Sequence, residues 1–122
     1  MGKTLLEKMF AKPTYKMAII HTPEELKSEL WTDSKIDDKL TDAYNFILLF
    51  NIKQHELEQE LPQLKKSLAE NGLLWIAYPK GKMLQTDLNR DILRELLQQY
   101  NLESVSLVSL NDTWSAMRFK KA

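Results

Sequence analysis

The sequence predicts an α/β fold, a three-layer sandwich in a single domain of residues 1–122. Its sheet is expected to be mostly parallel, with five to six strands and a C-terminal antiparallel hairpin. Three observations carry this. The run Asn45-Phe46-Ile47-Leu48-Leu49-Phe50-Asn51 sets five consecutive apolar residues between two asparagines. It is too short for a helix and lacks the alternation of a half-wet strand, so it reads as a strand buried on both faces. Met17-Ala18-Ile19-Ile20 is a second unbroken apolar run, and helix-start residues follow it at once. At the far end, two strand patterns are separated only by Asn111-Asp112-Thr113, which predicts antiparallel neighbours.

Each element follows from its residues. Thr4 to Phe10 predicts a short amphipathic helix with Leu5, Leu6, Met9 and Phe10 on one side. Lys12-Pro13 stops it, because the residue before a proline avoids the helical region. A strand is predicted over Tyr15 to His21. In Thr22-Pro23-Glu24-Glu25, Thr22 is the expected N-cap, Pro23 the first helical residue and Glu25 the partner in a capping box. The helix they open should reach Leu30 or Trp31. Thr32 to Thr41 is polar and acidic, with Ile36 its lone apolar residue before Leu40, and leaves room for a very short edge strand at best.

Beyond the central strand, Leu57, Leu61, Leu64 and Leu68 form one stripe and predict a helix to Glu70, kinked or split at Pro62 and closed by Asn71-Gly72. Leu73 to Tyr78 is the next strand and Pro79-Lys80-Gly81-Lys82 a loop. Thr86 or Asn89 caps a helix that turns Leu88, Ile92, Leu96, Leu97 and Tyr100 inward and ends at Asn101. Val105 to Leu110 and Trp114 to Lys120 are the closing strands. Right-handed crossovers through this order give a doubly wound, Rossmann-like sheet with helices on both faces.

Composition narrows the function. The absence of cysteine excludes a disulfide framework, a thiolate nucleophile and cysteine-ligated metal. Seventeen basic residues balance seventeen acidic ones, so neither nucleic acid nor an anionic membrane is favoured as a partner. No apolar run is long enough to span a bilayer, and Met1 to Lys8 lacks a secretory core. Leu6 stands where a Gly2 myristoylation signal needs Ser or Thr. The expectation is a cytoplasmic monomer or weak homodimer acting on a protein partner or a small ligand.

The order of a buried strand, helix, strand, helix and antiparallel pair is similar to the C-terminal half of class I methyltransferases, with Leu48 to Tyr78 resembling the passage through their fourth and fifth strands. Trp75-Ile76-Ala77-Tyr78-Pro79-Lys80, Thr86-Asp87-Leu88 and Asp112-Thr113-Trp114-Ser115 resemble a family of short bacterial proteins catalogued only as a domain of unknown function. That resemblance spans Leu5 to Phe119. It departs at Asn101 and Ala116, where glycine is expected, and at His21-Thr22-Pro23, where the family more often has an Asn-Ala-Pro-like turn. It implies the fold and no activity.

In such a sheet, ligands bind beyond the carboxyl ends of the strands where strand order reverses. His21, Thr22, Asn51, Pro79 and Lys80 are predicted to arrive there. The turn after the first strand has no glycine and places two carboxylates at a helix start, which repels phosphate. No bound cofactor is therefore expected, including S-adenosylmethionine. Asp37 and Asp38 lie about where a ribose partner would, or are a solvated turn. His21 is either a general base or a structurally satisfied side chain, since no partner carboxylate is recognisable. His55 reads as solvated, and two histidines so far apart make no metal signature. Lys80 belongs to a basic turn without P-loop spacing. Asp112 and Trp114 either form a ligand site, with Trp114 as a stacking platform, or serve the hairpin through an Asx turn and core packing. The candidate ligand-binding set is His21, Asn51, Lys80, Asp112 and Trp114, with no catalytic residue assigned. The leading expectation is a degenerate, non-catalytic module; the alternative is a methyltransferase-like enzyme with an unorthodox site at the strand ends.

Overall fold

In the computed structural model, residues 4–32 and 35–121 are described. The N-terminal reading around Gly2, and Asp33 and Ser34 of the acidic segment, lie outside these residues. Five strands form one sheet: β1 (Met17–Ile20), β2 (Tyr44–Phe50), β3 (Leu68–Pro79), β4 (Leu102–Ser109) and β5 (Trp114–Lys121), in the order β1-β2-β3-β5-β4. The first three are parallel, and β5 runs antiparallel to both β3 and β4.

Burial on both faces of β2 makes it the axis of the sheet. Phe46, Leu48 and Phe50 point into one apolar layer with α1 (Leu5–Lys8) and α2 (Lys27–Leu30). Ile47 and Leu49 point into the other, with α3 (Gln54–Ser67) and α4 (Arg90–Gln98). This is the expected three-layer sandwich.

The acidic segment supplies one parallel bridge. Ala18 pairs with Ile47 of β2 on one side and with Asp37 on the other, and Ile19 N donates to Asp37 O at 2.9 Å. The chain thus leaves β1 outward, through α2 on one face, and returns past Leu40, which packs on the opposite layer, to enter β2. Strand order reverses at β1, so the switch point lies between β1 and β2.

Several local expectations are corrected. The Thr22 capping box does not form. Pro23 takes the N-cap position of a 3-10 turn, Glu24–Leu26, without a side-chain cap. Thr22 Oγ1 instead accepts from Trp31 Nε1 at 2.9 Å, and Glu25 turns toward β5. Across Pro62, α3 is continuous, neither split into two helices nor extended to Glu70. It ends at Ser67 because Leu68 already pairs with Tyr44 as the start of β3. The left-handed residue is Asn71, at φ 61, rather than Gly72. Gly72 is needed for space: a Cβ there would lie 2.8 Å from Ala69 O and 3.1 Å from Tyr44 O. Asn89, not Thr86, caps α4 by accepting from Ile92 N at 2.9 Å. Asn101 has φ 60, the conformation that explains why glycine is expected there.

The Thr86-Asp87-Leu88 motif ties the loop after β3 to the loop after β2. Thr86 Oγ1 donates to Ile52 O at 2.5 Å. Asp87 Oδ1 accepts from Gln54 N at 2.7 Å and so caps α3 across 33 residues, while Leu88 enters the core. The loops that border the strand ends are thereby held in place. Among the described residues, no helix is long and apolar enough to cross a membrane.

Candidate functional site

The first side chains beyond β1 and β2 are His21 and Asn51. His21 closes β1 with φ 60, a left-handed residue in the turn that lacks a glycine. Its side chain is 59% exposed, and its Nε2 lies 3.3 Å from Glu60 Oε2. Glu60 reaches it from the second turn of α3. The partner carboxylate absent from the local sequence is therefore present in the fold. Glu60 also accepts from Asn51 Nδ2, through Oε1 at 3.2 Å. One carboxylate thus holds both strand-end residues.

Asn51 is 4% exposed. Its backbone N–H donates to Ala77 O at 3.1 Å, continuing the ladder one residue beyond β2. Its Oδ1 is buried and meets no hydrogen-bond donor among the described residues. Flipping the amide would set that oxygen against Glu60, so the orphan is fixed as an acceptor. An unsatisfied buried carbonyl costs about 1–3 kcal/mol.

Two clefts flank the His21 turn. One, of about 570 Å³, is lined by Ile19, His21, Thr22, Lys27, Trp31 and Asp38. The other, of about 480 Å³, includes His21, Glu25, Phe50, Asn51, Glu56 and Trp114. Both open at the switch point, and His21 belongs to both. The structure also separates the two acidic neighbours. Asp37 accepts from Tyr44 OH at 2.6 Å and is part of the framework, whereas Asp38 borders the larger cleft.

Trp114 is buried, at 4% exposure. Its ring meets Phe50 edge to face, with centroids 5.1 Å apart and planes at 83°. Its Nε1 donates to Glu25 Oε1 at 3.2 Å. It packs in the core and also forms a wall of the smaller cleft. Asp112 and Lys80 are not brought to that cleft. Asp112 is exposed, and the Asx turn belongs to Asn111, whose Oδ1 accepts from Thr113 N and Trp114 N, both at 2.8 Å. The Lys80 ammonium donates to Ser109 Oγ at 2.6 Å. Its backbone N–H donates to Thr113 O at 2.7 Å, so Lys80 fastens the hairpin.

Glu60, Glu25 and Glu56 are the residues that sequence reasoning misses. By pattern, Glu25 reads as a helix cap, and Glu56 and Glu60 as solvated helix surface. A carboxylate one turn from the buried stripe of α3 is the only available signal. Among the described residues no cluster of His, Cys, Asp or Glu could hold a metal ion.

The chain matches no protein-family model and no curated protein. Solved structures do resemble it. LepI in complex with SAM is 16% identical, with a TM-score of 0.58 over 97% of this chain and 39% of LepI. An O-methyltransferase family 2 protein from Planctomyces limnophilus, in complex with apigenin, is 15% identical, with a TM-score of 0.64 over 97% of this chain and 46% of that one. A TehB-like SAM-dependent methyltransferase from Corynebacterium glutamicum is 12% identical, with a TM-score of 0.58 over 96% of this chain and 85% of that one. The chain spans less than half the length of the first two. At these identities the likeness is one of architecture: the chain has the Rossmann-like α/β fold of SAM-dependent methyltransferases.

Proposed function

We propose that this chain, a cytoplasmic protein of the short bacterial family it resembles, is a methyltransferase-like module that binds a small ligand at the switch point, S-adenosylmethionine being the first candidate. The observation that carries this reading is the pair of clefts that meet at His21. The sequence argues against this ligand on two grounds, charge and the missing glycine. The charge argument concerns phosphate, and S-adenosylmethionine has none; its sulfonium and ammonium groups are cations that carboxylates attract. The glycine argument is met for the turn geometry, since His21 adopts the left-handed conformation itself, and stands for close backbone approach, since His21 keeps its side chain. Asp38 offers acceptors for ribose hydroxyls in the larger cleft, and Thr22 and Trp31 border the same space. When bound, the cofactor would supply an activated methyl group.

Titration calorimetry of S-adenosylmethionine tests this. The expected result is a dissociation constant below about 100 μM, roughly −5.5 kcal/mol, weakened by Asp38→Ala. The absence of heat and of any rise in melting temperature up to millimolar ligand would retire the reading and leave the sequence expectation standing.

A second reading, catalysis of methyl transfer, is favoured by one feature. Glu60 holds the Nε2 side of His21, which leaves Nδ1 to accept a proton from an acceptor group at the seam of the two clefts. Isotope transfer from labelled S-adenosylmethionine to small acceptors, lost in His21→Gln, would support it. A ligand-binding protein with no transfer would leave a non-catalytic module.

A further inference from the structure

We infer that residues 81–85 form a lid over the smaller cleft, latched by Lys53 against strain in the lid's own backbone. Release of the latch opens the cleft. The inference goes beyond the cofactor reading and does not depend on which ligand enters.

The segment is tied down on either side. Before it, the Lys80 N–H donates to Thr113 O at 2.7 Å. After it, Thr86 Oγ1 donates to Ile52 O at 2.5 Å, and Leu88 is buried. The five residues between are all exposed. Two of them are large and apolar: Met83 is 48% exposed and Leu84 52%. Leu84 nevertheless lines the cleft, together with Phe50, Ile52 and Trp114. Its backbone is strained. Leu84 has φ 53 and ψ 23, and the next residue, Gln85, has φ 57. A Cβ opposes this left-handed conformation, and residues other than glycine, asparagine and aspartate seldom adopt it even singly. Gly81, at φ 55, meets the same demand at the other end without a Cβ. Strain of this kind persists only where surrounding contacts impose it, and it concentrates at clamps and switches. The imposing contact is Lys53, whose ammonium donates to Gln85 O at 2.5 Å and so fixes the carbonyl of the strained residue. The Lys53 side chain makes no cap bond to α3, so it can let go without unwinding the helix. On release, Leu84 and Gln85 relax to ordinary backbone, with Gly81 as the second pivot, and Leu84 leaves the mouth of the cleft that His21 shares.

Three variants move the lid in opposite directions. Gln85→Gly adopts positive φ without strain and keeps the carbonyl that Lys53 holds, so it favours the latched state. Gln85→Pro fixes φ at about −65° and excludes that state. Lys53→Met keeps the stem and deletes the donor. None of these side chains is buried, so the fold is retained. Each ¹⁵N-labelled protein is followed at the Trp114 indole N–H, assigned by its loss in Trp114→Phe. Opening is read from the relaxation that a neutral gadolinium chelate adds at the Ile52 methyls. The wild-type Trp114 resonance is expected between those of Gln85→Gly and Gln85→Pro, with Lys53→Met shifted toward the proline variant. The chelate should act least on Gln85→Gly and most on Gln85→Pro. Coincident Trp114 resonances in all four proteins, equal or reversed chelate effects, or a Lys53→Met spectrum identical to wild type would overturn the inference. No ligand is added, so this result and the calorimetry of S-adenosylmethionine can each fail without the other.

Discussion

Leu48 pairs with Ile19 on one side and Trp75 on the other, and its side chain is wholly buried between β2 and the α1–α2 layer. Removing three carbons from such a site leaves a cavity that two flanking strands cannot close. Leu48→Ala is expected to cost about 2–5 kcal/mol in urea unfolding; a loss below about 1 kcal/mol would mean the site relaxes as an edge strand does. The hairpin gives a sharper comparison. Asn111 Oδ1 accepts two backbone N–H groups, whereas Asp112 is exposed next to it. Asn111→Ala should therefore lower stability by about 1 kcal/mol, while Asp112→Asn should leave the melting temperature unchanged. The reverse order would return the turn to Asp112.

Among the elements, α3 combines a proline in its interior with core packing and polar contacts to the strand ends. It presents Leu57, Leu61 and Leu64 to the core and Glu60 to Asn51 and His21 from the same turns. Pro62 lies inside it and cannot donate to the carbonyl of Glu58. The helix runs on because its buried stripe and the cap from Asp87 outweigh one missing bond. Pro62→Ala should restore that bond and stabilise the protein by about 1–3 kcal/mol in thermal or urea melts. Should it instead destabilise, the ring would have to be holding α3 in place by contact. Where α3 ends is not legible from its own residues. Leucine spacing carries on through Leu68, but Leu68 is already committed to Tyr44 on β2. Pairing with a strand distant in the chain overrides a local helical period.

For the whole molecule, pH offers a global readout. Tyr78, near the carboxyl end of β3, is buried, and burial pushes its phenol above the ordinary 10, with Arg90 pulling it partly back. A folded-state value above the unfolded one means the contribution is fully present below pH 10 and is lost as pH rises through the folded value. Stability should therefore fall on the alkaline side of about pH 10, and Tyr78→Phe should flatten that limb when urea midpoints are compared from about pH 8 to 11. An unchanged slope would show that other groups set the alkaline limit.

At this scale, too, the share of sequence and structure in the result becomes clear. The sequence by itself determined the layers. Unbroken apolar runs at Met17 to Ile20, Phe46 to Phe50 and Leu73 to Tyr78 admit only strands covered on both faces, and the leucine stripes supply the covers. It also placed His21 and Asn51 at strand ends, because the position at which an apolar run stops is local information. It could not place Glu60 against both of them, move the Asx turn from Asp112 to Asn111, turn Lys80 toward Ser109, or show that Asn51 keeps an unpaired oxygen. The contacts of Glu60 and Lys80 join residues 9 to 39 positions apart, and how α3 and the hairpin pack on the sheet sets them. Burial of a side chain follows from periodicity. The partner of a polar atom follows only from the tertiary fold, since any of seventeen carboxylates could have reached His21 and the packing of α3 selected one.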